Sequence, residues 1–270
     1  MGTLILAVIA LLLYSIGTAL QALSFRGRIE ATLTSTTAIG MLALAAHGLL
    51  IFQTGQVSGC FDFGFFQSSL IISWLIVFLL LGLNLRNPVQ ILFLFIYPLA
   101  GLTVAASLIT QTPGRVVSDE SYGTLSHIAL SVTAYSLFTL AAVQAALFHL
   151  QNRQLKHNYN SMLIRNLPPL QTMESLLFEL VWAGVVLLTL AIITGAVFVE
   201  DLFAQHLAHK TVFSLLSLAV FVALLIGRHT RGWRGATASR WTLAGCLLLM
   251  LAFYGSKFVL ELVFSSGSAA

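Results

Sequence analysis

Charge is what this sequence has least of. Only 8% of its 270 residues are Asp, Glu, Lys or Arg, against 58% hydrophobic, and its mean hydropathy is +0.95. A water-soluble domain carries roughly 25% charged residues. So little charge cannot cover a surface in water, which excludes a soluble globular fold and points to an integral membrane protein. Cysteine is nearly absent too. The two present, Cys60 and Cys246, stand in no CxxC or CxxCH motif. This argues against thiol redox chemistry and against covalent haem attachment to the chain. The net charge of +4 is scattered in short connections, with no basic stripe and no nucleic-acid motif, so no nucleic-acid partner is expected. There is no internal repeat and no low-complexity segment. The acidic residues within apolar runs, Glu179 and Glu261, have no evident base or oxyanion partner, and catalysis is not expected.

What is present is a series of long apolar runs. A bilayer-crossing helix needs about 20 mostly apolar residues. Eight runs qualify: 3–24, 35–54, 66–84, 88–109, 123–150, 176–199, 209–228 and 239–263. Asn87-Pro88, "QTPGRVVSDES", "RNLPPLQ" and "RGWRG" separate neighbouring runs. The expected fold is an all-α polytopic bundle of eight transmembrane helices, one membrane domain over residues 1–270. No basic residue precedes the first apolar stretch, and Arg26 and Arg28 follow it, so it reads as a retained helix and not a signal peptide.

The connections alternate in charge. Loops one, three, five and seven carry Arg26, Arg28, Arg86, Arg153, Lys156, Arg165, Arg228, Arg231, Arg234 and Arg240. The others carry Arg115, with Lys210 near the start of the seventh run. The positive-inside rule then places both termini outside, in a bacterial inner (cytoplasmic) membrane. The lipid bilayer is the first expected partner. In this topology Cys60 and Cys246 lie near opposite faces, too far apart for a disulfide.

Topology also gives each histidine a depth. At 1.5 Å per residue, His127 lies roughly 6 Å below the outer face and His47 roughly 10 Å, so the two are nearly level. His206 and His209 flank the outer start of the seventh span. His229 closes that span on the inner side, and His149 and His157 lie at the inner end of the fifth. Ionisable residues in membrane helices usually face a bundle interior or a cavity. The plain reading of each is a hydrogen bond to a neighbouring helix, and that reading suits His149 and His157 best. The sharper reading is that two level imidazoles hold a haem iron from both sides, which also needs apolar walls and cations for the propionates. Phe61, Phe63, Phe65 and Phe66 crowd the loop before the third span. Arg115, Lys210 and Lys257 are the outer cations, and Lys257 also reads as a snorkelling lysine.

Four stretches carry a family resemblance. "LSHIALSVTAYSLFTLAAVQAALF" resembles the histidine-bearing helix of the cytochrome c assembly family, the haem-handling membrane proteins that include CcsA, CcmC and HemX. "NLPPLQTMESLLFELVWAGVVLLTLAIITGAVF" is similar to that family's next segment, in which a Leu-Pro stretch leads into a helix ending near Thr-Gly. "LLIGRHTRGWRGATASRWTLAGCLLLMLAFYGSKF" looks like its closing helix pair, and "GQVSGCFDFGFFQSSLIISW" like its outer loop. The pattern is closest to the YpjD-like inner-membrane branch.

The resemblance implies haem binding by histidines. His127 matches the family's outer histidine before the haem loop, His229 the histidine after the seventh helix that the family uses for a membrane haem site, and Lys210 a lysine of the tryptophan-rich loop. That loop reads "VEDLFAQHLAHKTVFS" here, with no tryptophan, and "ELVFSSGSAA" after the eighth span holds no second outer histidine. The haem-presenting platform is thus reduced. The expected cofactor is a non-covalent b-type haem, its iron held by His127 with His47, His209 being next. The expected role is accessory to cytochrome c assembly or haem homeostasis, with other membrane or cytochrome-assembly proteins as partners. The rival readings are a haem-free regulatory or scaffolding subunit and a small ion or metal transporter.

Overall fold

A computed structural model describes residues 2–30, 32–57, 61–62, 65–87, 89–109, 116–117, 122–157, 166–198 and 205–255. Among these, eight helices are long and apolar enough to cross a membrane, as the apolar runs require. They are α1 (Gly2–Phe25), α2 (Leu33–Val57), α3 (Phe65–Asn84), α4 (Gln90–Ile109), α5 (Tyr122–His157), α6 (Leu170–Phe198), α7 (Gln205–Arg231) and α8 (Gly235–Met250), the last reaching the length of a span, Gly235–Gly255, only with its continuation. A π-helical turn, Leu251–Gly255, continues α8. A two-residue antiparallel ladder pairs β1 (Phe61–Asp62) with β2 (Val116–Val117).

Several helices outrun their apolar windows. The fifth continues beyond Leu150 through Arg153 to His157, and the sixth starts at Leu170, six residues before its apolar run. A helix satisfies its own backbone groups, so it can run on into the headgroup region while long basic side chains reach water. Glycine ends two of them. Gly27 (φ 67°) follows α1, where Arg28 N–H bonds the Leu23 carbonyl at 3.0 Å and Gly27 N–H that of Ser24 at 2.9 Å. This is the paired closure of a left-handed cap. Gly232 (φ 65°) ends α7, where Trp233 N–H reaches back six residues to the Gly227 carbonyl at 3.1 Å.

Helix contacts sort the chain into two units, each described by itself. The first comprises Met1–Asp119 and Asn158–Pro168 and the second Glu120–His157 and Pro169–Ala270. Lipid tails are as apolar as leucine, so helix association in a membrane relies on close approach at small residues and on interhelical hydrogen bonds. Both devices recur. In the first unit α1 packs on α2 and α4, while α3 packs on α2 and α4. The Tyr97 ring fits between Gly17 and Gly40, where an added Cβ would stand 2.6 Å and 2.5 Å from it. Trp74 Nε1–H donates to the Leu44 carbonyl at 2.9 Å, and Asn166 Nδ2 caps the Phe25 carbonyl at 2.6 Å.

In the second unit α5 and α6 form the most extensive interface, and α8 packs on both α5 and α7. Phe138 and Phe221 stack at 4.0 Å with planes 11° apart, the one against Gly184 and the other against Gly245. Three α7 and α8 side chains donate to carbonyls of neighbouring helices. Ser217 bonds Gly245 at 2.8 Å, Ser239 bonds Ala145 at 2.7 Å, and the Cys246 thiol bonds Phe138 at 3.1 Å. Cys246 is a buried free thiol; Cys60, which the sequence set apart from it, lies outside the described residues.

Candidate functional site

His127 sits in the second turn of α5, half-buried against the final turns of α6. Its Nδ1 lies 2.6 Å from the Ala191 carbonyl oxygen. A carbonyl only accepts, so Nδ1 carries the proton, and in the imidazole form Nε2 holds the lone pair. The same carbonyl also accepts from Thr194 Oγ1 at 3.0 Å. The ring reaches this position because residue 195 is glycine. A Cβ there would stand 2.8 Å from His127 Cε1 and 2.9 Å from Nδ1. One turn earlier on α5, the Phe198 ring closes on the backbone of Gly123 in the same way. The Thr-Gly pair that ends the sixth apolar run thus forms the seat of His127.

His47 belongs to the first unit and is fully buried. Its Nδ1 is 3.0 Å from the Tyr14 hydroxyl, with the rings edge to face at 5.8 Å. The Leu70 backbone is near enough to act on the ring, yet Nε2 completes no hydrogen bond. If Tyr14 O–H donates to Nδ1, Nε2–H is stranded. If Nδ1–H donates to the phenol oxygen, Nε2 presents a lone pair and the phenol proton is stranded instead. Tyr14 leads on to Tyr97 at 5.5 Å between ring centres, and Tyr97 O–H reaches the Thr36 carbonyl at 3.4 Å. Gln21 Nε2 donates to Thr36 Oγ1 at 2.7 Å. This polar column through an apolar unit was not read from the sequence. The available signal was spacing: Tyr14 and Gln21 are seven apart on α1, and Thr36 and His47 eleven apart on α2. Both spacings return a helix to the same face.

His229 ends α7 with its side chain exposed. It lines a cleft of about 730 Å³ between α6 and α7, with Phe178, Glu179, Trp182 and Arg228. The Arg228 guanidinium lies 3.5 Å over the centre of the Phe178 ring. This cleft is about 18 Å along α6 from the His127 seat, counting from Glu179 to Ala191. The structure therefore brings His127 to α6 but not to His229. Lys210, half-buried, is near the other end of α7 from His229. His149 is half-buried near the end of α5, with Nδ1 buried and unpartnered. The side chains of His157, His206, His209 and Lys257 lie outside the described residues. Among the described residues no three His, Cys, Asp or Glu side chains gather as a metal site.

Haem can be tested against this geometry. A haem-ligating histidine needs one nitrogen free and the other held by a second-shell acceptor. His127 meets both conditions, and the Phe198 ring packs on α5 one turn away. His47 meets them in one tautomer only.

Comparison with known proteins follows the same lines. The profile of the family described as cytochrome C assembly protein matches residues 35–264. The inner membrane protein YpjD of Escherichia coli strain K12 is 32% identical over 185 residues, 66% of this chain and 67% of that protein. Protein HemX of Brevibacillus brevis is 29% identical over 196 residues, 70% of this chain and 72% of its own length. The cytochrome c biogenesis protein CcsA of Guillardia theta is 20% identical over 217 residues, 72% of each. No solved structure matches the chain.

Proposed function

This chain belongs to the cytochrome c assembly protein family, and on that premise we propose that it is a haem-handling protein of the inner membrane. It is a multi-pass membrane protein, and the name of its Escherichia coli relative supports the inner-membrane assignment. The reading rests on one observation, the bond from His127 Nδ1 to the Ala191 carbonyl. It fixes the ring orientation and leaves Nε2 available to iron. His127 would hold a non-covalent b-type haem, since the chain has no CxxCH motif for a thioether link. The haem would supply an iron centre for transfer to, or regulation of, other proteins of cytochrome assembly. The protein's own part is to hold an imidazole in one orientation at an apolar helix end. The topology read from the charges, with both termini outside, would set this seat on the outer side of the membrane.

The test is an absorption spectrum of the full chain purified from cells supplied with haem. A Soret band with α and β bands is expected, and it should be lost or shifted in His127→Ala but unchanged in His149→Ala. The same spectrum in His47→Ala and His209→Ala reports whether either imidazole is the second ligand. Wild-type protein without haem, or a His127→Ala spectrum identical to wild type, overturns the reading.

A further inference from the structure

The α6–α7 cleft carries two opposite charges that do not meet. Glu179 and Arg228 both line it, yet the one ion pair among the described residues is Arg234 with Glu174, at 2.9 Å. Arg228 is held by its face over Phe178, which leaves its N–H edge for another acceptor. His229 adds a donor at the same lip, and Ser175 adds a hydroxyl. A ligand bearing one anionic and one cationic group is the complement of such a cleft.

The surroundings specify what else that ligand carries. The cleft lies where α7 runs into Arg228, Arg231 and Arg234, the basic end of the unit. From its rim, α6 presents Trp182, Val186, Leu190 and Ile193, which are 57%, 50%, 44% and 53% exposed. Their spacing of four, four and three residues puts them in one stripe on the helix. The stripe is about 16 Å long, close to the reach of one acyl chain within a leaflet. Tryptophan at its head suits the interface between headgroups and chains.

We propose that this cleft binds one zwitterionic aminophospholipid. Its phosphodiester lies on Arg228 and His229, its primary ammonium on Glu179, and one acyl chain along the Trp182–Ile193 stripe. An acidic phospholipid would meet Arg228 with its phosphate but bring no cation to Glu179. A haem would bring two propionates to a cleft that has one guanidinium and one carboxylate. The basic end of the unit sets the site in the cytoplasmic leaflet under the positive-inside rule. This inference does not depend on haem at His127.

The test uses the full chain, delipidated in detergent, and reads quenching of tryptophan fluorescence by brominated phosphatidylethanolamine, phosphatidylglycerol and phosphatidylcholine. Native mass spectrometry in parallel counts bound lipid. Wild type should bind one phosphatidylethanolamine, about tenfold tighter than phosphatidylglycerol, the size of one charge-assisted contact. Trp182→Phe should lose most of the quenching while retaining the bound mass. Glu179→Gln should abolish the preference for phosphatidylethanolamine, and Arg228→Gln should weaken all three lipids. Glu179 is exposed and makes no ion pair among the described residues, so its variant decides the matter even if Arg228→Gln does not fold. Soluble glycerophosphoethanolamine separates headgroup from lipid: it should compete only weakly, and full competition would make the site one for free phosphate esters. Equal affinity for the three lipids, or a preference that survives in Glu179→Gln, overturns the proposal. So does stoichiometric displacement of the lipid by haem that is lost in His229→Ala, which would make the cleft a haem site.

Discussion

Replacing Gly195 with alanine should unseat His127, and the size of the effect follows from the geometry. The new Cβ would stand 2.8 Å from Cε1 and 2.9 Å from Nδ1. Optimal carbon contacts lie at about 3.5–4.0 Å, so the ring must retreat by about 0.7 Å or more. Ala191 and Gly195 are one turn apart on the same face of α6, so retreat from one is retreat from the other. The 2.6 Å bond to Ala191 then stretches to about 3.3 Å, beyond the usual range for N–H···O. Overpacking costs about 1–3 kcal/mol, and the lost hydrogen bond about 0.5–1.5 kcal/mol. Alanine returns about 0.5–1 kcal/mol through its better helix propensity. The net loss is on the order of 1–3 kcal/mol.

Equilibrium unfolding of the purified protein in mixed micelles measures that loss, and the absorption spectrum reads the haem reading separately. The sharpest arm is the double variant Gly195→Ala with His127→Ala. Once the ring is gone the three nearest atoms to the new methyl group are gone with it, so the double variant should be no less stable than His127→Ala alone. Neighbouring sites that share one clash are strongly non-additive. Gly195→Ala with wild-type stability, or a double variant as unstable as the sum of the two single losses, refutes the seat described for His127. An intact seat with no haem leaves the structural reasoning standing and removes the functional one.

Three further outcomes follow from the packing. Tyr14→Phe strands a fully buried imidazole nitrogen and should cost about 1–3 kcal/mol in the same unfolding assay; adding His47→Leu should recover part of that, giving a measurable coupling energy. Glu174→Gln should cost at most about 1 kcal/mol, and less at high salt, because Arg234 is 64% exposed. Gly82→Ala should stabilise by at most about 0.5–1 kcal/mol, since Gly82 lies in the last turn of α3, exposed, with open space where the methyl group would go; a loss of stability there would mean that another surface packs on α3.

The eight spans were legible because the solvent dictates them: a bilayer demands long apolar runs, and composition alone reveals those runs. Their ends were less so, since a helix leaving the apolar core keeps its hydrogen bonds and admits Arg153 or Glu174 without breaking. His127 stood out for its chemistry in an apolar run, and the Thr-Gly ending of the sixth run stood out through resemblance. What joins them is a backbone carbonyl, at Ala191, and the absence of a side chain, at Gly195. Neither has a signature in the identity of its residue, because every residue has a carbonyl and a glycine's use depends on what faces it.

The same reasoning separates the histidines by what each can do. His47 is the more deeply buried, but its one described hydrogen-bond partner is a phenol that can give or take a proton, so its tautomer is not fixed by its neighbour. His127 is only half-buried, yet its partner is an obligate acceptor, which settles where the proton sits. For ligating iron the second property matters more than depth, because a ligand nitrogen must hold a lone pair in a constant direction. Depth in the membrane ranked the two histidines as equals; the chemistry of their partners ranks His127 first.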